Sequence, residues 1–139
     1  MNIVFDSNIY IAAFATHGVC HLMIESCITE HNIFISDFIF GELREKLIEK
    51  IKLPLKTVDE IIAYLTEQAV VTNPKHLVSD VCRDPDDDNI ISLGLAAKAE
   101  YIVTGDRDLL DINQYETLHI VSPKEFSEVL KNQTSGRNS

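Results

Sequence analysis

No apolar run in this 139-residue chain approaches the roughly 20 residues that span a bilayer, and its start, MNIVFDSN, lacks the basic stretch that opens a secretory signal. The expectation is a cytoplasmic protein with no membrane contact. Cysteine is scarce. Cys20, Cys27 and Cys82 form no CxxC pair, and an odd number without tight spacing argues against a disulfide framework or a structural zinc site. The five glycines are scattered, so no glycine-rich phosphate loop is present. His17, His21, His31, His76 and His119 show no HExxH spacing, and no Ser–His pairing is readable. Positive charge is also short: 12 Lys and Arg against 22 Asp and Glu leave a net charge of −10. That balance is a poor match for capture of nucleic acid by bulk electrostatics.

A hydrophobic content of 45% over this length suits one domain with a substantial core. Ile3–Phe5 is a short, wholly apolar run of the kind found in a buried central strand, and the run after Asp6-Ser7-Asn8 reads as helical. A second helix is expected from about His17 to Glu30 and a strand over Asn32–Ser36. Ser36-Asp37 offers N-capping groups to the helix that follows. Pro54 opens a further helix with Val58, Ile61, Ile62 and Leu65 at helical spacing. Ala69–Thr72 is a possible short strand, Asp84-Pro85 starts another helix, and Tyr101–Gly105 and Leu118–Ser122 read as strands. Ser122-Pro123-Lys124-Glu125 is a capping box, so a last helix is expected to about Leu130. This organisation predicts one α/β domain over residues 1–130 and a polar, flexible tail over 131–139. Alternation of strands and helices points to a mainly parallel sheet of four to five strands with helices on both faces.

The stretch RDPDDDN, Arg83 to Asn89, places four aspartates within five consecutive positions. Two carboxylates about 4 Å apart repel by roughly 4 kcal/mol at an effective dielectric near 20, so something must offset the crowding. Part of the answer is local, because Asp84 as an N-cap and acids in the first turn are stabilised by the helix dipole. Other acids also fall where a parallel sheet builds its sites, at the carboxyl ends of strands. Asp6 follows the first strand, Glu42 lies early in the helix after the second, Asp87 and Asp88 follow Pro85, and Asp106 and Asp108 follow Tyr101–Thr104. Simpler roles exist for each: Asp106-Arg107-Asp108 as a polar turn, Glu42 as an exposed helix residue. Asp6 is the hardest to explain that way, since an aspartate ending a buried strand needs a partner. A carboxylate cluster drawn from separate elements is what a hard divalent cation takes. Such an ion can activate water and stabilise charge on a phosphodiester. A local excess of cations, including Arg44, Lys46 and Lys50, follows Glu42 and is read either as a solvated helix face or as a set of phosphate contacts.

Asp6 in VFDSNIYIAAF, Glu42 in SDFIFGEL, Asp88 in DPDDDNIISLGLAAKAEYIVTGD and Asp106 in TGDRDLL together resemble the PIN-domain ribonucleases. The similarity is to the toxin branch of bacterial toxin–antitoxin systems (VapC-like) and extends from Asn2 to about Leu130. It implies a three-layer α/β fold and endonucleolytic cleavage of RNA dependent on Mg²⁺ or Mn²⁺. It also implies a metal-binding catalytic quartet of Asp6, Glu42, Asp88 and Asp106. Asn8 and Thr104 become polar support, while Asp87 and Asp108 are second choices because both motifs offer more than one register. The resemblance further implies a homodimer and inhibition by a cognate antitoxin. The acidic groove then makes Arg44, Lys46 and Lys50 the candidates for RNA contact. Two alternatives stand beside this reading: a phospho-accepting receiver-type signalling domain, and a PIN-like module that binds a partner without activity.

Overall fold

Ile3, Val4 and Phe5 are wholly buried in β1 (Asn2–Phe5), as a strand covered on both faces requires. The computed structural model describes residues 1–137. After β1 come α1 (Ser7–Thr16), α2 (Val19–Glu30), β2 (Asn32–Ile35), α3 (Asp37–Glu49), α4 (Leu55–Gln68) and β3 (Val70–Val71). Then follow α5 (Pro85–Ala96), β4 (Tyr101–Val103), α6 (Arg107–Ile112), β5 (Gln114–Tyr115), β6 (Leu118–Val121) and α7 (Pro123–Arg137). The sheet runs β3-β2-β1-β4-β6-β5, parallel throughout except where β5 meets β6. Helices flank it, giving the expected α/β architecture.

The sheet has six strands rather than four or five. The addition is β5, a two-residue strand paired antiparallel with β6 through Tyr115 and Leu118. Gln114-Tyr115 is too short and too polar to carry a strand pattern of its own; the turn at Glu116, with φ of 53°, creates it. At the other end, α7 continues to Arg137, past the helix end expected near Leu130. Residues 138–139 of the expected tail lie outside the described residues.

From β1 the chain moves outward to β2 and β3, and from β4 it moves the opposite way to β6. Strand order therefore reverses between β1 and β4, and the crevice at their carboxyl ends is where such sheets place ligands. The register Phe5↔Val103 brings Asp6 and Thr104 level, and Asp6 N–H donates to the Val103 carbonyl at 3.0 Å. Packing fixes the two strands in place. Phe5 meets Tyr10 and Phe126 edge-on at centroid distances of 5.9 and 6.1 Å. Such pairs contribute about 0.5–1.5 kcal/mol beyond area burial. Gly94 of α5 sits so close to the sheet that a Cβ there would lie 2.8 Å from Leu118 Cδ1 and 3.1 Å from Ile102 Cδ1. No single helix among the described residues is long and apolar enough to cross a membrane.

Candidate active site

Asp6 is 5% exposed and uses both carboxylate oxygens. Oδ1 accepts the Ser7 N–H at 2.7 Å and caps α1, while Oδ2 accepts the Thr104 hydroxyl at 2.8 Å. Thr104 is fully buried, and its oxygen in turn accepts the Asp106 N–H at 3.0 Å. A threonine has one proton to give and lone pairs to receive, so this residue ties the acid after β1 to the acid after β4. Asp106 then caps α6 by accepting the Asp108 N–H at 2.9 Å. Burial pushes the Asp6 carboxyl above its ordinary range, against the lowering effect of the Thr104 and Ser7 hydrogen bonds and of Lys46.

The acids of α5 divide between two tasks. Asp84 caps the helix by accepting the Asp86 N–H at 3.0 Å, with Pro85 in the first turn. Asp87 is turned toward Asp106 and Asp6. Burial first, then the charges of Asp106, Asp84 and Asp6, push its carboxyl up to about 7. Its Oδ2 is buried and has no hydrogen-bond partner among the described residues. Asp88 has a different setting: 7% exposed, it accepts the Cys82 N–H at 2.8 Å. Its carbonyl accepts the Ser92 hydroxyl at 2.7 Å, and Ser92 Oγ accepts the Val78 N–H at 2.9 Å. Asp88 thus pins the preceding loop to α5. Of the two adjacent candidates, Asp87 is the one that feels the charges of Asp6 and Asp106, while Asp88 bonds the loop. Successive helix residues are rotated by about 100°, and in a run of aspartates only the orientation of the folded helix selects the inward one.

Glu42 on α3 approaches from the other side, with Oε1 accepting the Ser7 hydroxyl at 3.3 Å. Burial raises its pKa, Lys46 opposes that, and the charges of Asp6 and Asp86 add to the rise. Lys46, one turn beyond Glu42, donates to Asn8 Oδ1 at 3.2 Å. Asn8 is exposed and meets Lys46 rather than Asp6. Arg44, in contrast, forms an ion pair with Asp59 of α4, and Lys50 is an exposed residue at the C-cap of α3. Of the three basic candidates, only Lys46 faces the acids. Asp108 pairs with Arg83 at 3.3 Å. Arg83 lies outside the basic run and is followed by acids. A groove of about 370 Å³, lined by Asp37, Phe38, Gly41, Glu42, Glu45 and Asp86, opens alongside.

The crowding in RDPDDDN is thus met in part by a helix end, which Asp84 caps and where partial positive charge is concentrated; Asp6 and Asp106 likewise cap helix starts. The rest shows as raised carboxyl pKa values. Among the described residues no three His, Cys, Asp or Glu side chains form a ready-made metal cage. Mg²⁺ does not need one, because it commonly takes one or two carboxylates and keeps several waters. An unpartnered, buried oxygen on Asp87 beside Asp106 supplies that minimum, and a donor set made wholly of oxygen suits Mg²⁺ or Mn²⁺. The residues fit a hard divalent ion.

A family model described as PIN domain matches residues 2–108. An uncharacterized protein of Methanocaldococcus jannaschii is 32% identical over 142 aligned residues, which cover 92% of this chain and 90% of the relative. Among solved structures, VapBC2 from Rickettsia felis, bound to a DNA fragment from its promoter, matches with a TM-score of 0.64 at 15% identity, covering 88% of this chain and 98% of that one. VapBC-1 from nontypeable Haemophilus influenzae matches with a TM-score of 0.62 at 14% identity, covering 89% and 99%. At such identities the structural likeness establishes a common fold.

Proposed function

The chain belongs to the PIN-domain family, and on that premise we propose that it is a divalent-metal-dependent endoribonuclease, the toxin of a toxin–antitoxin pair. The observation that carries this reading is the buried, unpartnered Asp87 oxygen within the group formed by Asp6, Asp87 and Asp106. Asp87 and Asp106 would hold Mg²⁺ or Mn²⁺, with Asp6 and Glu42 completing the acidic wall. Such an ion supplies a more acidic bound water and counter-charge for the phosphodiester. Asp6 cannot swing, since Ser7 and Thr104 occupy its two oxygens. Glu42 has one oxygen on Ser7 and its other available to accept a proton from the water that attacks phosphorus. Water forms the new P–O bond, the ribose P–O bond breaks, and the departing oxygen is protonated from solvent.

The intact Asp6–Thr104–Asp106 linkage supports an active enzyme over an inactive binding module. A receiver-type switch does not agree with the family. RNA is the proposed substrate and the cytoplasm the proposed compartment. A cognate antitoxin is the proposed protein partner, by likeness to the VapBC structures, and a homodimer the proposed assembly. The test is incubation of the purified protein with a mixed RNA pool and Mn²⁺, followed by mapping of cut ends. Defined new ends should form with Mn²⁺ and vanish with excess chelator or in Asp6→Asn. An uncut pool, or cleavage that persists in chelator, would refute the proposal.

A further inference from the structure

The acids linked by hydrogen bonds from Asp6 to Asp108 end on Arg83, while Lys46 acts on Asp6 through charge and bonds Asn8. Asp6 accepts from Thr104, Thr104 accepts from Asp106 N–H, Asp106 accepts from Asp108 N–H, and Asp108 accepts from Arg83. We propose that Arg83 is an RNA-positioning residue, gripping a backbone phosphate on the side of the acid cluster opposite Lys46. This rests on the ribonuclease reading and extends it to how an acidic protein holds an anionic substrate.

Arg83 is suited to the role by exposure and by its light commitment to its present partner. Its side chain is 79% exposed and that of Asp108 is 39% exposed, with a single contact of 3.3 Å between them. Exposed pairs of this kind contribute little to stability. A guanidinium carries five donors in a planar fork that matches a phosphate, so most of its capacity is uncommitted. The backbone that carries it is fixed: the neighbouring Cys82 N–H is held by the buried Asp88 carboxylate at 2.8 Å. A mobile charged head on an anchored base can exchange Asp108 for a phosphate without moving the loop. The need for such a contact follows from the net charge of −10, which repels RNA overall.

Binding of a short single-stranded RNA of mixed sequence would be measured over a series of salt concentrations, with each variant placed in a non-cleaving Asp6→Asn background. Arg83→Ala should raise Kd about 5- to 10-fold and reduce the slope of log K against log salt by about one. Arg83→Lys should keep the slope, and Lys131→Ala, an equal loss of charge on α7, should change neither quantity. In the cleaving protein, Arg83→Ala should raise KM with kcat little changed and the melting midpoint unmoved. If Arg83→Ala binds RNA with the slope and Kd of Lys131→Ala while the parent enzyme still cleaves, the Arg83 proposal is wrong and the ribonuclease reading survives. If the parent protein neither binds nor cleaves RNA, both are overturned.

Discussion

A half-buried carboxyl with one buried, unpartnered oxygen, set among the charges of other acids, either keeps a proton or takes a cation. At Asp87 the two outcomes compete, and pH decides between them. Its pKa of about 7 in the folded chain lies above the ordinary 3.8, so between those values the folded state holds a proton that the unfolded state has lost. Stability of the metal-free protein should therefore be greatest at the acid end, fall as pH rises through the window from about 4 to 7, and level off above it. Asp6 and Glu42, both raised by burial, act in the same direction. Mn²⁺ should reverse the trend. Its stabilising effect, about 2.7 kcal/mol at a hundredfold excess over Kd, should be absent near pH 5 and full near pH 8 in thermal melts. The two neighbouring aspartates should also separate by substitution. Asp87→Asn should lower kcat by about 100-fold or more, as loss of a metal-supporting group does. Asp88→Asn should stay within about threefold of wild type, because its amide oxygen still accepts the Cys82 N–H. Equal losses in the two variants would contradict the assignment. Thr104→Val removes the donor to Asp6 and the acceptor for Asp106 at once, and should cost about 10- to 100-fold in activity. The positions of Asp6, Glu42 and Asp106 near the strand ends were legible in the sequence, because Asp6 directly follows β1, Asp106 caps the helix after β4 and Glu42 lies early in the helix after β2. The choice between Asp87 and Asp88 was not, since neither local chemistry nor spacing distinguishes adjacent aspartates in one helical turn.

Among the elements, α5 sets how close the acids come to the sheet. Gly94 leaves no room for a side chain against Leu118 and Ile102, both of which are buried. Gly94→Val should cost about 2 kcal/mol or more through overpacking, read as a lower midpoint in denaturant, and should reduce activity by lifting Asp87 from Asp106. Tyr10 offers the opposite case: it is fully buried on α1 and its hydroxyl has no partner among the described residues. Tyr10→Phe should stabilise the fold by about 1 kcal/mol, since it removes an unsatisfied polar group at little change in shape. A loss of stability would show that the hydroxyl is hydrogen-bonded in solution. Elements with a strong pattern were readable in advance, among them β1 from its apolar run and α5 from Asp84-Pro85. The elements that escaped were those created by context. β5 exists because a turn at Glu116 folds Gln114-Tyr115 back on β6. α7 continues through a polar segment whose composition alone suggests fraying.

At the scale of the molecule, the reversal of strand order between β1 and β4 gathers acids from distant parts of the chain into one crevice. The net charge is adverse to RNA, and cations enter the site singly, at Lys46 and Arg83, instead of as a basic face. Sequence reading placed the basic contacts in one run because neighbours in sequence are visible and neighbours in space are not. Within that run Arg44 pairs with Asp59 of α4, while Lys46 meets Asn8. The claim on which the whole account depends is that Asp87 and Asp106 share a divalent ion, and calorimetric titration of Mn²⁺ at pH 8 into wild type and Asp87→Asn tests it without reference to any substrate. The account predicts saturable binding in the wild type and its loss in Asp87→Asn, with Asp88→Asn unaffected. Equal Mn²⁺ affinity in wild type and Asp87→Asn would contradict it.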